Sequence, residues 1–588
     1  NIVVTFDDSG SMNSTSIPDS MDSYYDQPYY YSSSYNPLYF NPDITYVVPP
    51  APPDGTMLTP SYTSAARDGY CASLVSAGCW SPNHASYLQP VYQNLSTSFY
   101  SGYLSNVYAG NSPCPRDANE IAGWYTAYVG CPELDIPASV RGKVTSTSTS
   151  TTAIPTQTGS CFKGWPFFNC PTAGTTTSGG STTTTTLSCD IFGYSCSYTT
   201  TGTTTTTTTT TTTDPGGFYY TCSSQASCSY HSLSTASAAV KANFAIWYSY
   251  YRTRNLMARA GVGRVFGSLT DGAVRVGWQT LQSQNAQGSY YTGAGGYAGP
   301  AYGPLNLLGS GSGSASLVLP LSNAATSCSA GSIDSDSCWR SKFMNWVYGV
   351  PASGGKPTRV ALQTAAKFYT QKLSATSGTV HGAAPFWNDS TSSPAELSCR
   401  KNFNMLVTDG YWNGDSPATP SPLDTNSGTL PDTTQYAPGE KVSSVYWNDG
   451  GSFPASLANI AFAGWAGDLR PDLANNVPAY YPDLSTGLTA NTAVVDSTRP
   501  GANREVYFNP ANDPATWQHI SQYMVTLGAT GTLTNNAATL LALRTGQQAW
   551  PTPTTAGGAT NIDDTWHAAI NSRGGYFSAS DPTTLYNS

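Results

Sequence analysis

Charged side chains are scarce in this 588-residue sequence, where Asp, Glu, Lys and Arg together make up 10%, against roughly 25% in average soluble domains. Its basic residues form no run, and the formal net charge is -9. Phosphate neutralisation therefore cannot drive binding, which excludes nucleic acid as an expected partner. No stretch reaches the ~18–20 apolar residues of a membrane span. No Cys-x-x-Cys pair suited to zinc occurs, and no Gly-x-Ser-x-Gly elbow surrounds the serines near the start, so neither a zinc ribbon nor a serine hydrolase is expected. We expect no enzymatic activity. The sequence also lacks an initiator methionine and opens inside an apolar run at Asn1, so a signal peptide is expected to have been removed or to lie upstream.

What is present points to an exported protein. There are thirteen cysteines, most with a close neighbour in loop-like text, the pattern of an oxidising compartment. Nearest-neighbour pairing would join Cys71 with Cys79, Cys114 with Cys131, Cys161 with Cys170, Cys189 with Cys196, Cys222 with Cys228, and Cys328 with Cys338, leaving Cys399 over. Spacing alone does not fix this connectivity.

Composition changes divide the chain into a scaffold and its insertions. Residues 1–12 hold a first strand and a polar loop, residues 13–230 a Tyr/Thr/Cys-rich insertion, and residues 231–588 the remaining scaffold, with aperiodic insertions near 284–338, 374–398 and 411–454. Within the large insertion lie three Thr/Ser tracts, Ser146 to Thr152, Thr175 to Thr186 and Thr199 to Thr213. Threonine favours extended backbone and buries no apolar surface. These tracts read as exposed strands or O-glycosylated stalks on one view, and as a disordered linker on the other.

Between the insertions, short apolar runs alternate with helical segments, the pattern of a mostly parallel open sheet flanked by helices. Ile2 to Phe6 and Phe403 to Val407 are the clearest buried strands, with Ala273 to Trp278 and Tyr523 to Leu527 as weaker ones. The helical segments are Thr235 to Ala260, with Val240, Phe244, Trp247 and Tyr251 on one face, then Thr358 to Gln371, Ser456 to Ala466 and Ile562 to Asn571.

Directly after the first strand comes Asp7-Asp8-Ser9-Gly10-Ser11-Met12, an Asp-x-Ser-x-Ser motif at the carboxyl edge of the sheet, where open α/β folds bind ligands. One turn of backbone can present its carboxylate and two hydroxyls together, the oxygen donors that a hard cation such as Mg²⁺ takes. Directly after the second clear strand comes Thr408-Asp409-Gly410. Either motif alone is ordinary turn chemistry. Their joint placement at two strand ends is what suggests a cation site.

This arrangement resembles the metal-ion-dependent adhesion site (MIDAS) of von Willebrand factor A domains. Dispersed segments then resemble the PilY1 family of type IV pilus tip adhesins: Phe244 to Arg254, Arg275 to Trp278, Asn402 to Asn413, Ser456 to Ala461, Asp468 to Pro471, Thr516 to Ile520, Leu527-Gly528 and Ile562 to Ala569. The resemblance implies an α/β von Willebrand factor A-like (Rossmann-like) fold with long disulfide-containing insertions. It implies an extracellular protein at the pilus tip, exported through the periplasm. Minor pilins and a host or abiotic surface ligand would be its partners. Attachment, and through the pilus twitching motility, would be the processes it serves. The alternative role is a structural tip or priming factor for pilus assembly. A β-propeller is expected to follow this region in the family, and none is expected within these 588 residues.

The resemblance also implies that Asp7, Ser9, Ser11 and Asp409 surround a divalent cation, Mg²⁺ first, with Ca²⁺ or Mn²⁺ as alternatives, and Thr358 is a further candidate ligand. The family loop Gly-Gly-Thr-Pro-Leu, whose Thr completes the site, reads Gly354-Gly355-Lys356-Pro357-Thr358 here. Lysine donates and cannot ligate a cation, so Lys356 is a candidate replacement for the metal itself, or it points to solvent while Thr358 reaches the site.

Two further groups have a functional and a structural reading. Tyr24, Tyr25, Tyr29, Tyr30 and Tyr31 could contact a ligand, since amphipathic rings suit binding surfaces, or pack an insertion onto the scaffold. Asp563, Asp564 and His567 are spaced to cluster on a helix, but Asp there reads as an N-cap and first-turn charge, and His519 as a packed or surface residue.

Overall fold

A computed structural model describes, with short interruptions, residues 1–70, 79–99, 149–207, 216–281, 319–321, 339–373, 383–488 and 503–587. The chain divides into two compact units, one of residues 1–136 and 216–588, the other Pro137–Pro215.

The larger unit is built on a six-stranded sheet. Its strands are β1 (Ile2–Phe6), β2 (Arg275–Thr280), β3 (Leu319–Pro320), β4 (Phe403–Thr408), β5 (Ser521–Leu527) and β6 (Tyr576–Ala579), in the spatial order β3-β2-β1-β4-β5-β6. From β2 through β6 the neighbours run parallel, and only the edge strand β3 is antiparallel. The α/β expectation therefore holds, in a von Willebrand factor A-like arrangement. The chain passes from β1 outward to β2 and then returns to the other side of β1 as β4. Such a reversal opens a crevice at the carboxyl ends of the two strands it separates.

Helices cover both faces, which is why β1 can be apolar without alternation. On one face Val3 packs with Ala365 and Phe368 of α4 (Thr358–Phe368), and Leu406 and Met524 pack with α5 (Leu457–Ala466) and α6 (Ala559–Asn571). On the other, Phe6 and Trp278 meet the rings of α3 (Trp339–Gly349), and the Trp339 indole donates to the Val276 carbonyl at 2.6 Å. The α4 face carries a buried polar ladder across four strands. Gln279 donates to Thr5 at 2.8 Å, Thr5 to Asn404 at 2.6 Å, and Asn404 to Gln522 at 2.8 Å.

The segment expected as one helix from Thr235 to Ala260 is two, α1 (Ala238–Tyr250) and α2 (Arg254–Ser268). Tyr251 is the C-cap of the first, and Thr253 starts the second, its hydroxyl accepting from the Leu256 N–H at the new N-terminus. The aromatic face of α1 is as expected: Phe244, Trp247 and Tyr251 are buried, against Tyr39, Phe40 and Tyr46. The helix α3 and strand β6 were not expected from the sequence.

The smaller unit is a five-stranded antiparallel sheet in the order Phe167–Phe168, Thr149–Gly164, Ser195–Thr207, Ser181–Cys189, Gly174–Ser178. The described parts of the threonine tracts are thus extended strands. Their hydroxyls pair across the sheet, Thr175 with Thr184 at 3.0 Å, Thr176 with Thr183 at 3.0 Å, and Thr185 with Thr200 at 3.0 Å. Cys189 and Cys196 stand opposite each other in register and are bonded; so are Cys222 and Cys228 in the hairpin Phe218–Ser224/Ser227–Ser232 of the larger unit. Cys399 is exposed and unbonded. The other four expected pairs involve Cys71, Cys114, Cys131, Cys170, Cys328 and Cys338, which lie outside the described residues, so the pairing of Cys79 and Cys161 lies outside them too.

Candidate functional site at the carboxyl edge of the sheet

Asp7 and Asp409 leave the ends of β1 and β4 side by side. The Asp7 N–H extends the ladder by donating to the Val407 carbonyl at 2.9 Å. The Asp7 carboxylate then shapes its own loop: Oδ1 accepts from the Ser9 N–H at 2.8 Å, an Asx-type turn, and Oδ2 accepts from the Thr408 hydroxyl at 2.6 Å. The chain continues into a 3₁₀ turn, Gly10–Asn13, and the Ser9 and Ser11 hydroxyls lie 3.1 Å apart. Just beyond, Ile17 presses on Gly528 at the end of β5. Gly528 has φ +64°, and a Cβ there would lie 1.9 Å from Ile17 Cγ2, so glycine is required on both grounds.

Two cations converge on Asp409. Lys356, from the loop before α4, places Nζ 2.6 Å from Oδ1, and Arg254, the first residue of α2, places Nη1 3.2 Å from Oδ2. Arg254 also donates to the Ser16 carbonyl at 2.8 Å and pairs with Asp19 at 2.6 Å. The Lys356 ammonium sits 4.4 Å from the centre of the Tyr411 ring, and its carbonyl accepts from the Asn413 N–H at 3.2 Å. Asp7, Asp409, Lys356 and Arg254 are almost fully buried, while Asp19 is half exposed.

Burial would push the Asp409 carboxyl up, but Lys356 and Arg254 outweigh it and bring it down to about 2. For Asp7, burial and the neighbouring Asp409 charge dominate, and its carboxyl is raised despite Lys356 and its two hydrogen bonds. Burial would lower Lys356, yet the two carboxylates hold its ammonium above the usual range.

The donor set does not fit the divalent cation expected from the sequence. Both oxygens of Asp409 face cations of the chain, and both oxygens of Asp7 accept hydrogen bonds. Thr358 is buried at the start of α4, and among the described residues its hydroxyl hydrogen-bonds to neither aspartate nor any other group. Among the described residues, no group of three or more His, Cys, Asp or Glu side chains is arranged to hold a metal ion.

No family model matches the chain, and no solved structure matches it significantly. Curated proteins do. The type IV pilus biogenesis factor PilY1 of Pseudomonas aeruginosa strain PAK is 28% identical over 599 aligned residues, covering 100% of this chain and 37% of that protein. PilY1 of strain UCBPP-PA14 is 32% identical across 62% of this chain and 26% of its own length, and PilY1 of strain PAO1 34% identical across 58% and 25%. The chain is similar to PilY1 along its whole length. It spans between a quarter and just over a third of the length of these PilY1 relatives.

Elsewhere in the chain the other candidate residues fall into structural places. Tyr29, Tyr30 and Tyr31 are buried; Tyr30 bonds the Thr15 hydroxyl at 2.8 Å, and Tyr31 packs edge-on against Tyr39. Tyr24 is 43% exposed and is the one ring of that group open to a ligand among the described residues, while Tyr25 lies outside them. Asp563 and Asp564 are not caps of their own helix, which starts earlier, at Ala559. Asp564 accepts from the Leu457 and Ala458 N–H groups at 2.8 and 3.0 Å, and so caps α5, and from the Trp412 indole at 2.8 Å. Asp563 accepts from the Thr532 and Leu533 N–H groups at 2.9 and 3.1 Å. His519 is buried between two acceptors, the Trp517 carbonyl at 2.8 Å and Asp513 at 3.0 Å; burial would lower its imidazole, but Asp513 outweighs it and raises it above the usual range. His567 stacks on Trp550 at 4.5 Å, and burial lowers its imidazole to about 4.

Arg254 is the site residue that sequence reasoning missed. It closes the family-like segment Phe244 to Arg254, which by itself assigns it no role. The available signal was an arginine next to a helix-capping threonine in a chain so poor in charge.

Proposed function

We propose that this chain is an adhesive, non-enzymatic domain of a type IV pilus tip-associated factor. It acts outside the cell after export through the periplasm, and contacts minor pilins and a host or abiotic surface. The observation that carries this reading is the similarity to PilY1, named a type IV pilus biogenesis factor, along the whole chain. The two disulfides and the low charge accord with an oxidising, extracellular setting, and no helix among the described residues is long and apolar enough to cross a membrane. A structural role in priming pilus assembly is the second reading, favoured by the biogenesis role in that relative's name and by the burial of the strand-edge aspartates, which leaves them little surface to offer a partner.

In-frame removal of these 588 residues from the gene, in the organism that carries it, separates the two. Surface pili would be counted by electron microscopy and attachment measured under flow. Normal pilus numbers with lost attachment are expected; loss of the pili themselves would overturn the adhesive reading in favour of assembly.

A further inference from the structure

We propose that Lys356 is a resident cation, tethered by its own backbone at the position between the two strand-end carboxylates, and that the site therefore works without any divalent metal. The inference concerns the site's chemistry and holds whichever of the two functions above is correct.

Geometry carries it. Lys356 Nζ is within ion-pair distance of Asp409, Arg254 reaches the opposite oxygen of the same carboxylate, and the side chain of Lys356 is 7% exposed. The ammonium is held in place rather than free to swing out. Its main chain is bonded to Asn413 and its head lies over Tyr411, both in the loop that follows Asp409. The loop before α4, the end of β4 and the start of α2 are thereby tied at one point.

Charge points the same way. Lys356 and Arg254 already bring two positive charges to Asp409, Arg254 being shared with Asp19. A divalent cation at the same place would face both of them at close range where solvent screens little. It would also need oxygen ligands at ~2.0–2.1 Å in near-octahedral array, from carboxylates whose oxygens are already engaged. A hydroxyl side chain at position 356 would remove one charge and supply one such ligand. The identity of that single residue thus selects between a metal-requiring and a metal-free site.

The test uses the purified full chain, stripped with a chelator. Calorimetric titration with Mg²⁺, Mn²⁺ and Ca²⁺ salts is expected to give no binding heat, and the thermal midpoint should be the same with chelator as with millimolar cation. Lys356→Thr is expected to acquire binding of about one cation, seen as heat and as a midpoint that rises by several degrees with cation concentration, as linkage requires. Lys356→Ser is the substitute if that variant does not fold. Saturable binding by the unaltered chain that Asp409→Asn abolishes would overturn the proposal. So would a folded Lys356→Thr or Lys356→Ser protein that remains blind to all three cations, since position 356 would then not be a cation position.

Discussion

At the carboxyl edge of the sheet the burial of Asp409 is answered by two cations, whereas at the crossing of α5 and α6 the equally buried Asp564 meets only neutral donors. Desolvation pushes both carboxyls upward. Asp409 nevertheless falls to about 2, because Lys356 and Arg254 outweigh burial, while Asp564 rises to about 6, since two backbone N–H groups and an indole do not. Nearby Asp424, held through Asn571 at 2.9 Å, is likewise pushed well above the usual carboxylate range by burial. Burial alone does not set the charge of an interior carboxylate; a cation beside it does. The first centre is a charged knot whose parts depend on each other, and the second is a hydrogen-bonded cap that can take up a proton.

The largest effect should come from breaking the knot. Asp409→Ala leaves Lys356 and Arg254 buried around a lost partner and is expected to cost about 3–5 kcal/mol in urea unfolding. Adding Lys356→Met should return part of that loss, giving a coupling of roughly 0.5–3 kcal/mol in the double-mutant cycle. Additive single effects would mean that the ion pair contributes nothing of its own.

A second experiment sharpens the contrast through pH. The folded-state value of Asp564 is raised above that of the unfolded chain, so its contribution is full below pH ~4 and is lost as pH rises through about 6. His567, three residues on, is lowered to about 4, so its contribution is present above pH ~6.5 and is lost as pH falls towards 4. The two oppose each other within one helix. His567→Gln should therefore leave a protein whose urea midpoint rises on acidification from pH 6 to 4, by up to ~3 kcal/mol in stability. A midpoint that falls over that interval would contradict the neutral-donor account of Asp564.

The smallest expected effect is at Tyr24. Being exposed and outside both centres, Tyr24→Ala should change stability by no more than about 0.5 kcal/mol. Attachment assays on that variant ask whether the one open ring of its group touches a ligand.

Much of this was readable in advance. The two strands and the carboxylates that follow them stood out because continuous apolar runs and abrupt polar ends are local signals, and Lys356 stood out against its family context. The helix α3 was hidden because its partners Phe6 and Trp278 are distant in sequence, and β6 because it emerges from Gly574-Gly575 with only four residues. Arg254 and Asp564 share another reason: each serves a segment far from its own. Nothing around Asp564 in sequence announces that it caps a helix beginning at Leu457.

The ladder from Gln279 through Thr5 and Asn404 to Gln522 has a mechanical corollary. β1 lies between β2 and β4, so drawing it along its own axis shears two rows of backbone bonds and two side-chain bonds together, instead of opening them one at a time. A slip of one residue would also turn Thr5 into the aromatic layer of α3 and carry Phe6 into the polar row. The sheet can hold its register or lose it, with no intermediate setting to creep into under load.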